Sequence, residues 1–170
     1  MQLKENYLNF VKNFKNINPL ICFSIKSNSN TFILRFLGKL GSGADVVSSG
    51  ELLKALKAGI KPNKIVFSGV GKSEEELKLA IKKKILLINI ESESEAILIN
   101  KISKKINRKT SIGLRLNPDI FVNTHKKIST GKAEDKFGLS KKDLLLLCKK
   151  IDKLKNLRLS ALSVHIGSQI

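Results

Sequence analysis

The sequence is poor in several residue types, and each shortage excludes a class of protein. Tryptophan is absent, tyrosine occurs once and cysteine twice among 170 residues. Cys22 and Cys148 both lie in apolar surroundings, so we interpret them as core residues rather than as a disulfide, and we expect a reducing, cytoplasmic location. The two cysteines are distant from each other in the sequence, so with two histidines they do not indicate a structural zinc site.

Long apolar runs are missing as well. None reaches the length that a membrane-spanning helix requires. The first residues, MQLKEN, lack the basic and then apolar order of a secretory signal. We therefore expect neither a membrane partner nor export.

Acidic residues are scarce, and the net charge is +18. Such a balance can indicate a nucleic-acid-binding module, and that function remains one alternative. The basic residues are nearly all lysines scattered along the chain, however, and aromatic residues do not interleave with them. We interpret the charge as codon bias and a solvated surface, and we expect no nucleic-acid partner. The only arginines are Arg35, Arg108, Arg115 and Arg158.

Short apolar runs alternate with segments of helical periodicity along the whole chain. Strings that begin with serine and reach an acidic residue three positions later predict four helix starts, at Ser48, Ser73, Ser92 and Ser140. Strand and helix in strict alternation predict βαβ units and a parallel sheet. The six predicted strands are Leu20–Ile25, Ala44–Val47, Lys64–Phe67, Leu86–Ile90, Ser111–Leu116 and Leu159–Val164.

Two α/β architectures compete for this pattern. A doubly wound sheet would place a glycine-rich turn after the first strand, where the chain has Lys-Ser-Asn-Ser-Asn instead. A (β/α)8 barrel places polar residues at the carboxyl ends of many strands, as this chain does. We therefore predict a TIM-type barrel. Because six strands are counted where eight are needed, residues 1–170 are interpreted as an incomplete barrel domain.

Lys26 and Asp45 are the first two candidate site residues. Lys26 ends an apolar run that is predicted to be a buried strand. Burial of a lysine lowers its pKa and frees the amine for Schiff-base chemistry, although a strand-end lysine can also point into water. Asp45 lies inside an apolar run, either as a turn former or as a carboxylate held near a cation.

Arg115 and His165 lie on later predicted strands. Arg115 is flanked by leucines, so its guanidinium needs a partner, either in a structural ion pair or on a ligand's carboxylate, phosphate or phenolate. His165 ends a strand and is either a core residue or a site residue. Gly167 and Ser168 after it can form an anion-binding turn. His125 lies in a long polar stretch with no assignable role.

Together these segments resemble one family, the diaminopimelate decarboxylases, which are fold-type III pyridoxal-phosphate enzymes with an alanine-racemase-like barrel. The resemblance extends over nearly the whole chain, from about Tyr7 to Ile170, and its motifs occur in the same order as in the family. The motifs are ICFSIKSN (Ile21–Asn28), GSGADVVSSGE (Gly41–Glu51), KIVFSGVGK (Lys64–Lys72), NIESE (Asn89–Glu93), LRLNPD (Leu114–Asp119), TH (Thr124–His125), ISTG (Ile128–Gly131), KFG (Lys136–Gly138) and HIGSQI (His165–Ile170).

The resemblance implies a role for each candidate residue. Lys26 would form the Schiff base with pyridoxal 5'-phosphate, with Asp45 beside it. His165 would stack on the cofactor ring, Ser168 would contact the phosphate, and Arg115 would face the phenolic side. The implied reaction is decarboxylation of meso-diaminopimelate to L-lysine. Ser24 departs from the family, which usually has alanine there.

Family members are more than twice as long as this chain. The resemblance therefore implies that later barrel strands, a second phosphate loop, the glutamate that pairs with the pyridine nitrogen and the C-terminal β domain are absent. We expect a chain of these 170 residues to be inactive alone and to need a homodimeric whole enzyme or a complementing C-terminal fragment. A non-catalytic single-barrel pyridoxal-phosphate-binding protein is the other alternative.

Overall fold

The computed structural model describes residues 2–120 and 137–167, and these contain six α-helices, three short 3₁₀ helices and six strands. The helices are α1 (Gln2–Asn13), α2 (Thr31–Lys39), α3 (Ser49–Lys57), α4 (Glu74–Lys83), α5 (Glu93–Lys105) and α6 (Lys141–Ile151). The strands are β1 (Cys22–Ser24), β2 (Gly43–Val46), β3 (Ile65–Phe67), β4 (Leu87–Ile90), β5 (Thr110–Leu116) and β6 (Leu157–Val164). Each strand falls on one of the predicted apolar runs, whereas α1 was not predicted.

The chain divides into two compact units. The first comprises residues 1–68 and 83–86, and the second comprises residues 69–82 and 87–170. In the first unit β1 pairs with β2, and β2 with β3, all in parallel. In the second unit β4 pairs with β5, and β5 with β6, again in parallel. Both units thus have the parallel strand order predicted for βαβ units.

All four predicted serine caps are present. The hydroxyls of Ser48, Ser73, Ser92 and Ser140 each accept a hydrogen bond from the backbone N–H three residues later. In three of them a glutamate returns the bond to a backbone N–H near the helix start. Such reciprocal caps satisfy donors that the first helical turn leaves without partners.

Each unit has its own apolar core. In the first unit it is formed by side chains with no exposed surface: Ile25, Leu34, Val46, Leu52, Ile65 and Phe67. In the second it includes Leu77, Ile90, Ile99 and Ile112, also buried. Burial of one such side chain contributes about 1.5–3 kcal/mol to the stability of the fold. These buried side chains therefore hold the helices against the strands in each unit.

Two glycines stand where neighbouring strands leave no room for a side chain. A Cβ atom at Gly43 would collide with the backbone oxygen of Lys64 and lie 2.7 Å from Cys22 Sγ. A Cβ atom at Gly113 would collide with Asn89 Oδ1 and lie 3.3 Å from Ala161 Cβ. The parallel register of each unit therefore depends on glycine at one position.

Candidate functional site

Lys26 lies in a short 3₁₀ turn, Ile25–Ser27, directly after β1. Its side chain is exposed, so of the two alternatives left open by the sequence, burial at a strand end is excluded and the accessible position is observed. β1 stops at Ser24, and the turn carries the lysine out of the sheet. Lys26 instead lines a cavity of about 350 Å³ together with Asn28, Ser29, Ser48, Gly50, Glu51 and Lys54.

The polar segment after Lys26 explains why this turn needs no glycine. Ser27 Oγ donates to the carbonyl of Ser24 at 2.7 Å, and Asn28 Oδ1 accepts from the N–H of Asn30 at 3.0 Å. Asn30 Oδ1 then caps α2 by accepting from the N–H of Phe32 at 2.8 Å. Short polar side chains thus satisfy the local backbone, and the lysine amine stays accessible beside the cavity.

Asp45 lies inside β2, where two serine hydroxyls hold its carboxylate. Ser68 Oγ donates to Oδ1 at 2.6 Å, and Ser24 Oγ donates to Oδ2 at 3.4 Å. Ala44 and Val46 on either side are buried, and Asp45 between them is half-buried, as strand alternation requires. The turn-former alternative is excluded, because the residue is within a strand. Neither serine was predicted from the sequence to bind Asp45.

Cys22 lies near Asp45 in the same unit. Burial raises the pKa of the Cys22 thiol to about 11, the negative charge of Asp45 adds to the rise, and Lys64 opposes it. A thiol with so high a pKa is a poor nucleophile at neutral pH. The interpretation of Cys22 as a packing residue agrees with this.

Arg115 in β5 forms a nearly dry ion pair with Glu91. Its Nη1 donates to Glu91 Oε1 at 3.0 Å, and the two side chains are only 12% and 5% exposed. The ring of Phe137 covers the guanidinium, with Cζ 5.3 Å from the ring centroid. Among the described residues Nε and Nη2 have no hydrogen-bond acceptor, so part of the fork can still serve a ligand.

A second buried cation, Lys72, was not recognised as a buried residue from the sequence. Its Nζ donates to Glu95 Oε1 at 2.7 Å and to the carbonyls of Asn89, at 2.7 Å, and Gly69. Its side chain is 1% exposed. An ammonium has three donors, and each has an acceptor here. Lys72 is therefore a structural cation.

Two of the remaining sequence candidates, His165 and Ser168, follow β6 in the chain. His165 follows β6 directly and is half-buried in the second unit. Ser168 lies outside the described residues, as do His125 and the residues around it.

Among residues 2–120 and 137–167 no three His, Cys, Asp or Glu side chains cluster as metal ligands. No helix of this part is both long and apolar enough to cross a bilayer.

The residues described above fit a pyridoxal phosphate group in chemical type. An aldehyde cofactor needs an accessible amine, which Lys26 supplies beside a cavity of about 350 Å³. Such a volume lies within the range of about 300–1,000 Å³ that is usual for small-molecule sites. The unengaged donors of Arg115 suit an oxygen anion.

Curated relatives over the whole chain are diaminopimelate decarboxylases. The chain is 47% identical to that of Helicobacter pylori strain J99, over 99% of this chain and 42% of the relative. It is 42% identical to that of Aquifex aeolicus, over 99% of this chain and 40% of the relative. The chain thus spans about two fifths of the length of the relatives that it matches.

Solved structures give the same result. The diaminopimelate decarboxylase of Helicobacter pylori in complex with L-lysine superposes with a TM-score of 0.97 at 46% identity, covering 99% of this chain and 43% of that one. The diaminopimelate decarboxylase of M. jannaschii, also in complex with L-lysine, gives a TM-score of 0.91 at 36% identity, covering 99% of this chain and 41% of that one. A viral arginine decarboxylase at 20% identity and a TM-score of 0.81 shares the fold. The predicted α/β class and partial barrel are thereby confirmed.

The family model for the pyridoxal-binding domain of pyridoxal-dependent decarboxylases matches residues 1–170. It confirms the predicted cofactor, pyridoxal phosphate. The accessible lysine after the first strand, the fold and this match lead to one conclusion: the chain belongs to the pyridoxal-dependent decarboxylase family.

Proposed function

We propose that this chain is the cofactor-binding part of an enzyme that decarboxylates meso-diaminopimelate to L-lysine. The relatives named above support this substrate, and two of the similar structures hold L-lysine. The observation that carries the proposal is the position of Lys26, whose amine lines a cavity within a segment that matches the family. When bound, pyridoxal phosphate supplies an electron sink for the pair left by departing carbon dioxide.

In the proposed site each residue has one role. Lys26 holds the cofactor covalently through its ε-amine, and Asp45 is an anion fixed by Ser24 and Ser68. The family resemblance assigns Arg115 to a cofactor oxygen, and Nε and Nη2 are available for that role because only Nη1 is bonded to Glu91.

The roles of two further residues rest on the family resemblance. His165 covers the ring, and Ser168 binds the phosphate.

The chain covers about two fifths of the relatives' length, so we propose that the complete activity also uses residues that correspond to the rest of the relatives. We propose that the enzyme acts in the cytoplasm as a homodimer or with a complementing C-terminal fragment. A polypeptide of these 170 residues alone is expected to bind the cofactor and not to decarboxylate.

The proposal is tested by locating the bound cofactor. The protein is mixed with pyridoxal phosphate and reduced with borohydride, and its peptides are analysed by mass spectrometry. The label is expected on Lys26, and Lys26→Ala should abolish it because no other amine occupies that turn. Lys54, which lines the same cavity, provides the matched control, since Lys54→Ala should still be labelled.

Label distributed over many lysines in both variants would refute the assignment of the cofactor site. Lysine formed by the isolated chain would refute the need for further residues. Assaying meso-diaminopimelate against ornithine and arginine with the complete enzyme then tests the substrate.

A further inference from the structure

The carboxylate of Glu91 binds two different parts of the second unit. Its two carboxylate oxygens have different partners: Oε1 accepts from Arg115 Nη1, and Oε2 accepts from the N–H of Gly138, both at 3.0 Å. With 5% of its side chain exposed, Glu91 is the more buried member of the ion pair. Because both side chains are nearly buried, separating the pair would leave a charge with neither a partner nor solvent, so the two side chains are held in one arrangement.

The Gly138 contact joins Glu91 to the short segment that covers the arginine. The N–H of Leu139 donates to the carbonyl of Arg115, and the N–H of Asn117 donates to the carbonyl of Leu139, both at 2.8 Å. These bonds lay Phe137–Leu139 along the end of β5. The Phe137 ring and the Glu91 carboxylate thereby confine the same guanidinium.

The backbone of Glu91 is itself fixed. Its N–H donates to Glu95 Oε2 at 3.0 Å, and Glu95 Oε1 accepts from the buried Lys72. Ser92 caps α5 by accepting from the N–H of Glu95 at 3.2 Å. Two ion pairs, Lys72–Glu95 and Glu91–Arg115, are thus joined by one hydrogen bond, from the backbone N–H of Glu91 to Glu95.

We propose that Glu91 is a positioning residue, which holds Arg115 by Nη1 and leaves Nε and Nη2 available for an oxygen of the cofactor. This inference rests on the proposed function, in which Arg115 contacts pyridoxal phosphate. Glu91 does not touch the cofactor in this arrangement. It acts through Arg115, and its loss matters only while that guanidinium is present.

The test is a double-mutant cycle on cofactor binding. Wild type, Glu91→Gln, Arg115→Gln and the double variant are titrated with pyridoxal phosphate, and the dissociation constant and the absorbance maximum of the bound cofactor are measured. Glu91→Gln is expected to weaken binding about tenfold, as loss of one charged hydrogen bond would, and to shift the absorbance maximum. Against Arg115→Gln the same change should have no effect on either quantity.

Glu93→Gln is the matched control. Glu93 is two residues away and also pairs with a lysine, Lys150, at 2.6 Å, but both side chains are about half exposed. It should bind cofactor as wild type does. If Glu91→Gln also matches wild type in affinity and spectrum, or if its effect persists without Arg115, the positioning role is refuted.

Two other outcomes are also decisive. If Glu91→Gln does not fold, the comparison of Arg115→Gln with the double variant, which leaves no unpaired charge, replaces it: equal affinities support the proposal and unequal ones refute it. If wild type itself retains no cofactor, the proposed function fails, and this result is distinguishable from a failure confined to the variants.

Discussion

Lys26 in the first unit and Lys72 in the second both lie in a loop between a strand and the following helix, but their amines meet opposite surroundings. Lys26 is exposed beside a cavity, whereas Lys72 is 1% exposed and surrounded by three oxygen acceptors. In the sequence analysis, burial was the property expected to mark a lysine that forms a Schiff base. In the structure the buried lysine has a structural role, and the accessible one is the lysine to which we assign the cofactor in our proposal.

The same contrast extends to the acidic residues. Asp45 in the first unit is held by neutral hydroxyls, and Glu91 and Glu95 in the second are held by cations. Neutral donors orient a carboxylate without neutralising it, so the first unit keeps a free negative charge beside its strands. The second unit uses its charges to fix loops to one another.

The largest effect expected from this contrast is on stability. Lys72→Met removes one member of a buried pair and leaves Glu95 without its cation, which should lower the free energy of unfolding by about 3 kcal/mol. Urea denaturation measures it. Lys150→Met, which removes an exposed pair with Glu93, should leave the midpoint unchanged. Equal midpoints for the two variants would mean that the burial of Lys72 has no energetic weight.

A smaller effect is expected at Asp45. Ser68→Ala removes the 2.6 Å hydrogen bond to Oδ1 and should lower the free energy of unfolding by about 1 kcal/mol. Ser24→Ala removes only the 3.4 Å contact and should cost less. Urea denaturation of both variants gives the order. A reversed order would show that the hydroxyl of Ser24, where the family usually has alanine, is the main support.

The smallest expected effect concerns the reactivity of Cys22. With a folded pKa of about 11, the thiol should react slowly with iodoacetamide at pH 8, and its rate should rise as pH approaches 11. Because the charge of Asp45 contributes to that rise in pKa, Asp45→Asn should lower the pKa and speed the reaction. Peptide mass spectrometry after timed alkylation follows it. An unchanged rate would mean that Asp45 carries no charge felt by the thiol.

Much of the fold was predictable because its rules are local. Six apolar runs became six strands, and four serine caps formed as the spacing required. The turn at Lys26 was not predictable from periodicity, because hydrogen bonds of single side chains such as Ser27 determine it.

An ion pair was one of the alternatives for Arg115, but its partner and the Lys72–Glu95 pair were not identified, for a different reason. Lys72 and Glu95 are 23 residues apart, and Glu91 and Arg115 are 24 apart. One signal was present, since Glu91 follows β4, Arg115 lies in β5, and these strands are neighbours. Residues at corresponding ends of paired parallel strands are the ones to test for partners.

The two glycines that allow close strand contact affect how a saturation-mutagenesis screen of this chain would be interpreted. A side chain at Gly43 collides with the backbone of Lys64, and one at Gly113 must displace the buried side chain of Asn89, so both positions should score as intolerant, as Lys26 would. The loss at the glycines would be a loss of folded protein, and the loss at Lys26 a loss of cofactor from a protein still present at normal abundance. A screen that counts only growth would group all three as active-site residues, and one that also measures protein abundance would separate them.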